Sequence, residues 1–110
     1  MIELPRGAGL SEYQRYIQEL EALHGWLDVD LVHNCFLMGE EVGELFKAVR
    51  VHNRMFEEGQ PVESSVARDE VADEIVDVLN YLLAIANRLD IDVEEAFRKK
   101  NLKNQQRTWS

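Results

Sequence analysis

Two acidic pairs have the residue types and spacing to do chemistry. Glu41 and Glu44 lie in Glu40-Glu41-Val42-Gly43-Glu44-Leu45, and Glu74 and Asp77 in Asp73-Glu74-Ile75-Val76-Asp77-Val78. An i, i+3 spacing puts both members of a pair on one helix face about a turn apart. Apolar neighbours keep that face near a core. Four carboxylates gathered there repel one another unless something positive sits among them. A hard divalent cation answers that need, because Mg²⁺ takes oxygen ligands and commonly bridges to phosphate. One such pair alone is more often a solvated helix face; a site needs the two to meet.

The elements that must position them are helices. Ser11 followed by Gln14 reads as a capping box opening a first helix that runs to about His24, before Gly25. Asp28 or Asp30 can cap a long second helix through about Glu58, with Leu31, Cys35, Met38, Val42, Leu45 and Val49 in its apolar stripe. Gly59-Gln60-Pro61 ends it. Ser64 or Ser65 caps a third helix that carries Val71, Ile75, Val78, Leu79, Leu82, Leu83, Ala86 and Leu89. Asp92 with Glu95 caps a short, increasingly basic fourth. No stretch alternates in the manner of a strand, and no repeat or low-complexity tract occurs. The expected fold is all-α: a bundle of about four helices built on a long antiparallel hairpin.

A short connection between the second and third helices makes them that hairpin. The two acidic pairs are equidistant from Gly59 in the turn, so they stand at the same height. Long carboxylates can close the roughly 8–10 Å between packed helix axes around an ion. No Lys partners these acids at i, i+4. Lys47 stands three residues past Glu44, and Glu74 and Asp77 have no base within a turn.

Composition bounds the rest. A chain of 110 residues with 45% hydrophobic and 30% charged residues reads as one globular domain, 1–110 with its core at about 11–107. At that size, and with helices this apolar, completion by a homodimer or homotetramer is expected. The net charge of −9 argues against nucleic acid as a partner, since phosphate backbones need a Lys and Arg excess. It does not argue against a nucleotide, because a bound cation reverses the local sign. A single cysteine, Cys35, allows no intrachain disulfide and reads as a small buried hydrophobe in a reducing compartment. With no apolar signal core and no apolar run of ~18 residues, no membrane is expected and the cytoplasm is. A di-iron bundle needs Glu-x-x-His on each of two helices, which this chain lacks. There is no His/Cys zinc pattern and no glycine-rich phosphate loop. The three histidines read as surface or partly buried structural residues.

Glu41-x-x-Glu44, a spacer of 29 residues, and Glu74-x-x-Asp77 together resemble the signature of the MazG-like, all-α NTP pyrophosphatases. The tail Lys100-x-x-x-Asn104-x-x-Arg107 resembles that family's C-terminal basic motif, so the likeness covers about 11–107. The resemblance implies Mg²⁺-dependent hydrolysis of an NTP or dNTP to the monophosphate and pyrophosphate, with Mn²⁺ a possible substitute. By position, Glu41, Glu44, Glu74 and Asp77 are then the metal ligands. A free carboxylate serves as general base, with Glu41 and the neighbouring Glu40 as candidates.

Five of the chain's 12 Lys and Arg stand in the C-terminal segment. They either complement the helix dipole, worth ~0.3–1 kcal/mol, or clamp phosphate through Lys100, Asn104 and Arg107. Given the resemblance the clamp is the expectation, with Lys47 and Arg54 adding to it. Asn80 and Tyr81 share the face of Asp77 and can read a base edge and stack on the ring, or serve as structural residues. Trp26 can line the same pocket but reads first as packing. Gly39 stands where the family usually has a larger apolar residue, which suits close helix packing or ligand approach. Two rivals remain: a phosphoribosyl-ATP pyrophosphohydrolase-type enzyme, and a helical oligomeric module that binds nucleotide or metal without turnover.

Overall fold

The computed structural model describes residues 1–53 and 64–107. Four helices follow one another: α1 (Leu10–His24), α2 (Leu31–His52), α3 (Ser64–Arg88) and α4 (Val93–Gln106). No strand occurs among the described residues, so the fold is all-α as expected. The chain forms two compact units, Met1–Val29 with Leu83–Ser110, and Asp30–Leu82.

The first unit holds α1, the C-terminal end of α3, and α4. Its apolar centre is Ile17, Leu83 and Ala84, with Tyr16, Leu20 and Val93 packed on it. A polar seam ties the helices together. Gln14 Nε2 donates to Asn87 Oδ1 (3.1 Å) and to the Ile91 carbonyl (2.8 Å), while its Oε1 accepts from the Val93 N–H (2.9 Å). Asn87 returns a bond to the Gln14 carbonyl (2.9 Å). This corrects the expected Ser11–Gln14 capping box. Gly9 is the N-cap of α1 without a side-chain cap, Ser11 lies inside the helix, and Gln14 spends its amide on α3 and α4 instead.

Arg88 closes the same unit. Its guanidinium grips both oxygens of the buried Glu21 carboxylate (3.1 and 2.8 Å) and donates to the carbonyls of Ala84, Trp26 and Val29. A planar fork of five donors is suited to such a site, and the lone pairs it satisfies would otherwise be costly to bury. The α1 exit is equally local in cause. Gly25 ends the helix at φ 72°, a left-handed conformation that glycine adopts without steric cost. Asp92 caps α4 as expected, accepting from the Glu95 N–H at 3.2 Å.

The second unit holds α2 and most of α3. Asp30, of the two candidates, caps α2 by accepting from the His33 N–H at 2.8 Å. The described helix ends at His52 with Asn53 as C-cap, and the predicted continuation to Glu58 and turn at Gly59 lie outside the described residues. Ser64 and Ser65, expected to cap the third helix, both lie within α3. The face of α2 turned inward is Asn34, Met38, Glu41, Leu45 and Ala48, with Asn34 and Ala48 buried. Cys35, expected to be buried, is exposed, as is Val49. Both stand about 80–120° around the helix from Glu41, at 100° per residue, and so fall off the face that meets α3.

Candidate functional site

The acidic residues come together in the second unit. On α2, Glu41 approaches Glu74 and Asp77 of α3; further along α2, Lys47, Ala48 and Val51 border the same hollow as Glu70 and Asp73. Numbers rising on α2 therefore meet numbers falling on α3, which is an antiparallel pairing. Helical periodicity does the local work: Glu70, Glu74 and Asp77 lie on one side of α3, and Glu41, Leu45 and Ala48 on the facing side of α2.

One oxygen each from Glu41, Glu74 and Asp77 lies within 4.8 Å of the others, and all three side chains are half-buried. The arrangement is electrostatically costly in the bare protein. The Glu41 carboxyl is raised above its ordinary range by burial first, then by the charge of Asp77, a hydrogen bond to Glu74, and the charges of Glu74 and Glu44. Glu74 Oε2 is buried with no hydrogen-bond partner. A buried acceptor left unpaired costs about 1–3 kcal/mol, and a cation at that oxygen would satisfy it. Two ligands of one Mg²⁺ stand about 3–4 Å apart, so small side-chain rotations bring this set into range. The residues present fit a hard cation.

Glu44 is placed differently from the other three. It is exposed and borders the adjoining hollow with Lys47, Ala48, Val51, Glu70, Asp73 and Glu74. Its charge reaches Glu41, but its oxygens are not in the three-residue group. Lys47 puts a cation on the rim of this hollow. Glu70 and Asp73 were not singled out from the sequence. The signal was there, since each stands four residues before a member of the pair: Glu70 before Glu74, and Asp73 before Asp77. Glu40 is exposed, about 100° around α2 from Glu41. Asn80 and Tyr81 are half-buried on α3, three and four residues past Asp77.

The remaining candidates belong to the first unit. Lys100 is exposed on α4. Asn104 donates from Nδ2 to Asn101 Oδ1 at 3.2 Å, and Arg107 is the C-cap of α4. Trp26 is half exposed and stacks on His24 with ring centroids 4.5 Å apart. That contact, and the Arg88 grip on Glu21, use up the one Glu-x-x-His spacing in the chain, Glu21-x-x-His24. Arg54 lies outside the described residues. No helix among the described residues is long and apolar enough to cross a membrane.

A family model described as the MazG nucleotide pyrophosphohydrolase domain matches residues 34–109, which takes in all four acids and the basic tail. None of the curated proteins searched matches the chain.

Proposed function

The chain belongs to the MazG nucleotide pyrophosphohydrolase family, and from that premise we propose that it hydrolyses a nucleoside or deoxynucleoside triphosphate to the monophosphate and pyrophosphate, using Mg²⁺. The observation that carries this reading is the group formed by Glu41, Glu74 and Asp77, with its unpartnered Glu74 oxygen.

Glu41, Glu74 and Asp77 would hold the cation, with Glu44 available from the next turn of α2. When bound, the cation supplies charge neutralisation for the triphosphate, polarises the phosphorus and lowers the pKa of the attacking water. The chain's own groups do the rest. A shared positive charge would relieve the mutual repulsion of these acids, which raises the Glu41 carboxyl in the chain as it stands. Of the two acids named from the sequence for proton transfer, Glu41 belongs to the three-acid group and Glu40 stands to the side, whereas Glu44, named there as a ligand, is exposed and borders the hollow. Glu44 is therefore our candidate to accept the proton of the attacking water. Lys47 on the rim offers charge to phosphate, and Lys100, Asn104 and Arg107 are the further phosphate contacts that the family pattern suggests. Asn80 and Tyr81 are the residues proposed to meet the base.

Pyrophosphate release from a panel of NTPs and dNTPs with Mg²⁺ tests the proposal. Turnover of at least one triphosphate, abolished by chelation, is the expected result. A folded sample that is stabilised by Mg²⁺ yet turns over none of them would be a binding module instead.

A further inference from the structure

We draw no further inference here: the strongest candidate, the open groove between the start of α1 and α4 lined by Leu10, Phe97 and Leu102, carries nothing, because Glu94 and Arg98 on it offset each other's charge and nothing in the structure shows what covers it.

Discussion

Glu41 of α2 and Asp77 of α3 present carboxylate oxygens within 4.8 Å of each other although 36 residues separate them in the chain. Glu74 completes the group, and its buried Oε2 lacks a partner. Charge of one sign is concentrated where solvent screens it only in part, so a proton or a cation at these oxygens would relieve the repulsion.

The pH dependence follows from the raised Glu41 carboxyl. The folded chain keeps this proton at pH values where the unfolded chain has lost it. The stability it contributes is fully present below the unfolded value of about 4.5 and is lost as pH rises through the higher folded value. In chelator, Glu41→Gln should therefore melt above the wild type at neutral pH, and the gap should close toward pH 4.5. Saturating Mg²⁺ should reverse the order at neutral pH. At 100 times Kd the gain is about 2.7 kcal/mol, some 10 °C or more for a domain of this size.

Neighbouring acids should separate cleanly. Glu74→Gln and Asp77→Asn are each expected to remove the Mg²⁺-induced rise in melting temperature and to lower kcat by about 100-fold or more, the scale of losing one preorganised charge. Glu40→Gln should keep both close to wild type, because Glu40 is exposed outside the group. Thermal melts and initial rates on the same preparations make the comparison.

Arg88 should matter for folding and not for turnover. Its guanidinium is committed to Glu21 and three carbonyls. Arg88→Ala leaves a buried carboxylate uncompensated, and breaking such a pair costs about 3–5 kcal/mol. Urea denaturation should show that loss. Glu21→Leu with Arg88→Met should recover most of it, since no charge is then stranded.

Lys100 tests the phosphate clamp. If it contacts the triphosphate equally in ground and transition states, Lys100→Ala raises KM with kcat little changed. The Mg²⁺-induced melting shift should be untouched. Equal losses in kcat and kcat/KM would instead place its contact in the transition state.

What could be read from the sequence was local or symmetric. Gly25, Asp30 and Asp92 mark helix ends through their own backbone and side-chain chemistry, and each holds its position in the fold. The approach of Glu41 to Glu74 and Asp77 was legible because a hairpin pairs positions equidistant from its turn. Burial was less legible. Periodicity finds apolar stripes, but α2 carries more than one, and only its neighbour decides which is covered; Cys35 and Val49 were assigned to the wrong side. The Gln14 and Arg88 networks were invisible because their long-range bonds join residues 59 or more positions apart. Glu70 and Asp73 had the right spacing, but an acid on a helix is usually only solvated.

We propose that the group built by Glu41, Glu74 and Asp77 binds the cation on which triphosphate cleavage depends. Its most direct test is pyrophosphate release as a function of Mg²⁺ concentration, for wild type and Glu74→Gln side by side, on any triphosphate the wild type turns over. A saturable Mg²⁺ dependence is expected of the wild type and is lost in the variant, whose helical circular dichroism stays unchanged. An identical Mg²⁺ response from a folded Glu74→Gln protein would contradict it.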